Sequence, residues 1–441
     1  MRLLVIFFDG LGDRPAAELG GKTPLEAART PNLDRLAAEG INGLVHAKSP
    51  GYPLGSPIAL HLLFGYPEES FPDRGPLLAR ARGLEIHDGD VTLAARFASA
   101  APEGRRLRLT QRFIHGREEA CRDLARAIAE YEAEGLHFRY VYCGRGDGIL
   151  FIAGGASFAI TDTDPLGLDL PVLRSQARHE ARSDRVAQRT ARALNEYLTW
   201  AHARLREHPA AAGEGDLPPI NALISKWAGP KPSLEPFVDT WGMCAASLPD
   251  EEVVSGLMLE LGFHLVQVTD EDPESDLRRR LVEARQLLAD GYEFIHLHTK
   301  YPDPMSHDND PPRCKEALEA LDRGLAYYWD ELASDAELVT VLTTDHTTPS
   351  VWTDVPRGRF YDQHGGEPGP LVIRGGNVRV DAVTEYGERA AVLGGLGQLR
   401  GEDFMPVLLN AAERTNMYEM RPLPKRRLYR PRPDQLDALE V

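Results

Sequence analysis

Three apolar runs that stop on polar, chemistry-bearing residues constrain this chain more than any other feature. LLVIFFDG stands at the start and ends in Asp9-Gly10, FIHLHTK covers Phe294 to Lys300, and LVTVLTTDH runs from Leu338 to Asp345-His346. Continuous apolar runs of this length fit strands buried on both faces, as in a parallel sheet, because a strand with one wet face would alternate. Helical text lies between them. In KTPLEAARTPNLDRLAAEG, Thr30 is placed to cap, Pro31 takes the first helical position, and Leu33, Leu36 and Ala37 repeat at helical spacing. CKEALEALDRGLAYYWDEL, Cys314 to Leu332, reads as an amphipathic helix. Strand alternating with helix predicts an α/β fold with a mainly parallel sheet flanked by helices.

At 441 residues the chain is longer than one hydrophobic core usually serves. Its middle also reads differently, being richer in Arg, Ala and Glu from Gly83 to Pro236. Helical stretches there include CRDLARAIAEYEAEG and RVAQRTARALNEYLTWAHARLREH, and the region closes on the hinge-like GPKPSLEP. The expected organisation is a discontinuous core over 1–82 and 237–420 with an inserted domain over 83–236. A basic, Pro-rich tail over 421–441 should be solvated or wrap the surface. Lys and Arg number 50 against 67 Asp and Glu, a net charge of −17 that argues against nucleic-acid and anionic-membrane partners. Cys121, Cys143, Cys244 and Cys314 never form a CxxC, which disfavours a disulfide framework or cysteine zinc site and fits a reducing compartment. The apolar start is too short for a signal segment or a membrane span and no later run is long enough, so the expected location is the cytoplasm.

In open α/β sheets ligands gather at the carboxyl ends of strands. That rule selects Asp9, the Asp345-His346 pair, Asp303 and His307 after FIHLHTK, and His364 in the loop YDQHGGEPGP. If Pro304 opens a helix, Asp303 and His307 share a face of its first turn. Singly each has a plain alternative, since Asp-Gly is a common turn and DxxxH recurs by chance. Together they give three carboxylates and three imidazoles, ligand types that suit Mn, Zn, Fe or Mg, in about the number two adjacent divalent ions need. His296 and His298 alternate on one strand and read as structural histidines. In GYPLGSPIALHLLFG, Ser56 precedes Pro57 and is placed at a helix N-cap. There its hydroxyl lies in the positive field of the helix terminus, and two metals nearby would make it a nucleophile for phosphoryl transfer.

These residues resemble the alkaline phosphatase superfamily, and within it the archaeal-type cofactor-independent phosphoglycerate mutases. The resemblance is carried by DGLGDRP, GKTPLEAA, TPNLDRLA, Gly55-Ser56, RGPL (Arg74 to Leu77), GDV (Gly89 to Val91), DTDP (Asp162 to Pro165), DHTTP (Asp345 to Pro349) and His364. It implies an alkaline-phosphatase-like core with an inserted α+β lid, and Ser56 as the phosphorylated nucleophile. It further implies two divalent metals, Mn or Zn by ligand type with Mg a further candidate. One would be held by Asp9, Ser56, Asp345 and His346, the other by Asp303, His307 and His364.

The substrate-gripping residues depart from the family pattern. By resemblance they are Arg112 and Arg117 in QRFIHGR, Arg145 in GRGDGILF, Lys226 in NALISKWAG where the family has arginine, and Arg280 in ESDLRRR where it has lysine. Pro57 also stands where the family usually has Asp. Arg and Lys do not grip a carboxylate or phosphate alike. The resemblance therefore implies a two-metal phosphotransferase of phosphoglycerate-mutase type on a small phosphorylated acid or related phosphoester. A phosphohydrolase on the same scaffold and a non-catalytic metal-binding homologue stay open.

Overall fold

The structure, a computed structural model, describes residues 1–213, 215, 217–269, 272–352 and 364–439. They form two compact units. The first comprises Met1–Phe71 with residues 234–352 and 364–439; the second is Pro72–Ser233. The helix Arg74–Ala81 thus belongs to the second unit, and the first crossing lies ahead of it rather than after residue 82. No described helix is long and apolar enough to cross a membrane.

The first unit is built on an eight-stranded sheet. In spatial order its strands are His264–Leu265, Ala245–Leu248, Phe294–Thr299, Arg2–Phe8, Leu338–Thr343, Gly369–Arg374, Gly40–His46 and Gly397–Arg400. All neighbours run parallel except Gly369–Arg374, which is antiparallel to both of its own. Phe294–Thr299 and Leu338–Thr343 are buried throughout, and Arg2–Phe8 is buried from its second residue on, as strands covered by helices on both faces must be. Register then does something specific. Phe7 pairs with both His298 and Thr343, so the three strands end level and the residues after them emerge side by side.

Local details differ from expectation in instructive ways. The helix Pro31–Ala38 begins at Pro31, but Thr30 makes no capping bond; the Asp322 carboxylate instead accepts the amides of Asn32 and Leu33. Cys314 to Leu332 is two helices, Pro311–Gly324 and Ala326–Glu331, meeting at Leu325. The tail is of the wrapping kind: Lys425 and Arg427 both bind Glu235, and Tyr429 is buried.

The second unit is α+β. Its long strand Val91–Glu103 pairs antiparallel with Asp147–Ala153 on one side and with Ala222–Pro230, then Arg106–Gln111, on the other. The helices Glu118–Ala127 and Arg185–Glu207 contribute Leu124, Leu194 and Tyr197 to its core. The stretch AEYEAEG, expected as helix, is instead a strand, Glu130–Ala133, hairpinned to Leu136–Gly144. The two-residue turn explains it: Glu134 and Gly135 both take positive φ, 48° and 72°, the geometry that matches strand twist.

Candidate metal centre

The level strand ends deliver their polar successors to one place. Asp9, Asp345 and His346 offer ligand atoms within 4.8 Å of one another, and so do Asp303, His346 and His364. His346 Nε2 lies 3.1 Å from Asp9 Oδ1 and 3.5 Å from Asp345 Oδ2. Asp303 opens a short helix, Asp303–His307, which turns His307 Nε2 to within 3.3 Å of Asp303 Oδ1. His364 stacks on His346 with ring centroids 3.7 Å apart. Its Nδ1 donates to the Leu54 carbonyl at 2.6 Å, which fixes the tautomer and leaves Nε2 to face Asp303 at 4.0 Å.

Ser56 meets both groups. Its Oγ is 3.1 Å from His346 Nε2 and 3.5 Å from Asp9 Oδ1. Gly55 rather than Ser56 is the N-cap of helix Ser56–Leu63, so the serine is its first helical residue. The difference is one residue and keeps the hydroxyl at the positive end of the helix.

Close packing at Gly10 locks the two carboxylate-bearing loops together. Gly10 takes φ 70° directly after Asp9. A Cβ there would lie 2.8 Å from Asp303 Cβ, Asp303 Oδ1 and Thr348 Oγ1. Thr348 in turn donates to Asp303 Oδ1 at 2.8 Å and touches His346 Nδ1 at 3.1 Å.

The centre holds more charge than it pairs. Asp9, Asp303 and Asp345 are all buried; Asp9 and Asp345 lie in one ligand group, and Asp9 and Asp303 share the Lys300 ammonium. Burial and then the Asp345 carboxylate push Asp9 up. Burial opposes ionisation of Asp303 as well, yet Lys300 and His307 hold it well below the usual range. His346 is driven up to about 9: burial works against its charge, but Asp345 and Asp9 outweigh it. Burial and the charge of His346 push His364 down to about 4, so it is neutral at physiological pH. Asp345 Oδ2 is buried with no hydrogen-bond partner among the described residues. An orphaned carboxylate oxygen amid three buried carboxylates and facing imidazoles is the donor set that divalent cations satisfy.

Two neighbours were not foreseen as site residues. Lys300, the last letter of FIHLHTK, places Nζ 2.8 Å from Asp9 Oδ2 and 3.1 Å from Asp303 Oδ2. The strand-end rule that selected the acids would have found it, had cations been included. His298, read as structural, is fully buried with Nε2 3.6 Å from Asp9 and 3.8 Å from Asp345, so it belongs to the wall of the centre. His296 remains a core residue, bonded to Ser247.

The expected substrate residues scatter. Arg280 is fully buried in the first unit, donating to Asp276, the Leu248 carbonyl and the Val268 carbonyl, so it serves the core and not a ligand. Arg117 donates to the carbonyls of Pro218, Ala210 and Ala212, tying loops of the second unit together. Arg112 is buried in a two-point pair with Asp164. Lys226 lies 3.9 Å from the same Asp164 and 3.5 Å over the Trp227 ring. Arg145 is exposed, on a turn whose amide binds Glu118.

Residues 37–211 match the profile of the 2,3-bisphosphoglycerate-independent phosphoglycerate mutase family. The whole chain is 33% identical to the whole of 2,3-bisphosphoglycerate-independent phosphoglycerate mutase 2 from Methanocaldococcus jannaschii. It is also 33% identical to the Pyrococcus furiosus mutase, over 94% of this chain and 98% of that one. Among solved structures, a Pyrococcus horikoshii protein superposes with TM-score 0.74 at 29% identity, covering 95% of this chain and 99% of its own. The cofactor-independent phosphoglycerate mutase of Thermoplasma acidophilum gives TM-score 0.61 at 26% identity, covering 93% and 99%.

Proposed function

The chain belongs to the 2,3-bisphosphoglycerate-independent phosphoglycerate mutases, and on that premise we propose that it moves a phosphoryl group between the hydroxyls of a phosphoglycerate through Ser56. The observation that carries this reading is the position of Ser56 Oγ, 3.5 Å from Asp9 Oδ1 and 3.1 Å from Nε2 of His346, the imidazole common to both candidate metal groups. Asp9, Ser56, Asp345 and His346 would hold one divalent ion and Asp303, His307 and His364 the other. Bound there, the ions would acidify the serine hydroxyl and offset the charge on the transferring phosphoryl group.

The chain's own residues do the rest. Ser56 Oγ loses its proton and attacks phosphorus; the Oγ–P bond forms as the substrate's P–O bond breaks, and the departing oxygen takes up a proton. Reversal onto the neighbouring hydroxyl completes the isomerisation. Pro57 has no N–H and the Ala59 amide donates to the Gly55 carbonyl, so the Ser56 and Ile58 amides are the ones at this helix start without a helical acceptor, and they suit phosphoryl oxygens. Lys300 Nζ holds a positive charge between Asp9 and Asp303, keeping both loops in place as the phosphoryl group arrives. The resemblance implies a lid role for the second unit, which would exclude water so that the substrate and not solvent accepts the phosphoryl group. Lys226 and Arg145 remain its candidate substrate contacts.

One observation favours a second reading, hydrolysis. Arg280 and Arg117 are spent on structure, which leaves fewer cations to retain a dephosphorylated product. The test is to incubate metal-loaded protein with 3-phosphoglycerate and follow 2-phosphoglycerate, free phosphate and phosphate on the Ser56 peptide. The mutase reading expects 2-phosphoglycerate and a phosphorylated serine, both lost in Ser56→Ala. Free phosphate alone would move the activity to hydrolysis, and turnover retained in Ser56→Ala would remove the nucleophile assignment.

A further inference from the structure

The second unit carries a groove of about 1350 Å³ that the proposed reaction does not use. One wall is a face of helix Arg185–Glu207; another is formed by the hairpin joining Val91–Glu103 to Arg106–Gln111, with residues 171–174 beside it. Arg105, Arg106, Arg174 and Arg206 line it, all exposed. Among the described residues none of these four is paired with a carboxylate. A fifth guanidinium, Arg192, is held at 2.7 Å by Glu134. Four arginines around one groove, none of them paired among the described residues, concentrate positive charge there. Gathering them has an electrostatic cost that an anion would relieve.

The groove is not only basic. Trp200, half-buried, is held by stacking on Tyr131 with centroids 4.6 Å apart and rings 26° from parallel. The Tyr131 hydroxyl donates to Glu196, which also lines the groove. A fixed indole beside free guanidinium groups offers a stacking surface next to phosphate-binding forks. The volume exceeds the ~300–1000 Å³ of pockets that take drug-sized ligands, so it has room for far more than a bare phosphate.

We propose that this groove binds a nucleoside polyphosphate, with its phosphates on Arg105, Arg106, Arg174 and Arg206 and its base against Trp200. No residue of the metal centre, nor Arg112, Asp164 or Lys226, lines it, so the site and the proposed reaction stand or fall separately.

The test is calorimetric titration of the full chain with ATP in excess Mg²⁺, beside inorganic tripolyphosphate and adenosine. ATP should bind at one site per chain, tripolyphosphate at least about tenfold more weakly, and adenosine not measurably. Replacing the four unpaired arginines together by alanine should weaken ATP at least about tenfold with an unchanged circular dichroism spectrum, since all four are exposed. Trp200→Leu should weaken ATP and leave tripolyphosphate unaffected. Ser56→Ala should bind ATP as the parent does. The assignment is overturned by absence of ATP binding up to about 5 mM, by binding indifferent to the arginine variant, or by binding lost in Ser56→Ala. Tighter capture of a single-stranded oligonucleotide or an acidic peptide than of ATP would also overturn it.

Discussion

Replacing Gly10 by alanine isolates how much of the centre depends on the close approach of two loops. The substitution has two consequences of different kind. At φ 70° an L-residue costs about 1–2 kcal/mol of backbone energy. The new Cβ would also stand 2.8 Å from Asp303 Cβ, Asp303 Oδ1 and Thr348 Oγ1. Ordinary contacts between such atoms lie near 3.5 Å, so these groups must retreat by roughly 0.7 Å. That exceeds the ~0.5 Å within which a functional constellation must be held. The expected result is a loss of about 1–2 kcal/mol in denaturant unfolding and a 10–100-fold loss in Mn²⁺ affinity, as for second-layer changes at metal sites. Turnover of 3-phosphoglycerate should fall with it. Gly21→Ala is the control, because Gly21 has φ 77° with nothing within 4 Å of a built Cβ. It should lose similar stability and keep its metal affinity. Gly10→Ala binding Mn²⁺ and turning over like Gly21→Ala would refute the reasoning.

Lys300→Met should lower the melting temperature of metal-free protein, because Asp9 and Asp303 lose the ammonium between them. The rise in melting temperature on adding Mn²⁺ should then be larger than in the parent, and equal rises would count against the charge-bridging role. Glu388, which accepts from Thr23 Oγ1 and the Asp13 amide, is pushed up to about 7 by burial. Its folded pKa is raised above the unfolded one, so its contribution is intact below about 4.5 and lost as pH rises through about 7. Glu388→Gln should therefore be more stable than the parent at pH 8 and indistinguishable from it near pH 4.5, read as the difference between two thermal-unfolding series. Arg280→Met strands the buried Asp276 carboxylate and should cost about 3–5 kcal/mol while leaving KM for 3-phosphoglycerate unchanged; a raised KM at parental stability would return Arg280 to the substrate.

What could be read from the sequence, and what could not, divides along physical lines. Asp9, Asp345 and His346 were legible because they stand at the end of a continuous apolar run, and Asp303 because it lies within four residues of one; a parallel strand delivers its successors to the carboxyl edge whatever else the chain does. Lys300 obeys the same rule, but as a cation it is no metal ligand and carries no ligand signal in the sequence. Arg280 was placed by its position in a family pattern, whereas its local text argued otherwise: Asp276 four residues earlier and Leu277 and Leu281 beside it describe a helical face that buries an ion pair. The hairpin at Glu130 to Gly144 was hidden because AEYEAEG satisfies helix propensity. Only the pairing of Tyr131 with Phe138 and the turn at Glu134-Gly135 decide for strand. The one-residue error at Ser56 reflects how little separates an N-cap from a first helical position when the next residue is proline.

The sheet order has a bearing on synthesis. Arg2–Phe8 pairs with Phe294–Thr299 and Leu338–Thr343, both of which follow it by a long stretch of chain. The later of these emerges roughly 330 residues afterwards, which at 5–20 residues per second is a wait of roughly 15–70 s. Throughout that interval a nascent LLVIFF segment has neither edge paired, while the described residues of the second unit, whose strands lie nearer one another in sequence, are all made by Ser233. The central strand of the sheet therefore waits unpaired while more than half of the unit that will cover it is still to be made, so the yield of folded protein should respond to chaperones that hold apolar segments of a nascent chain.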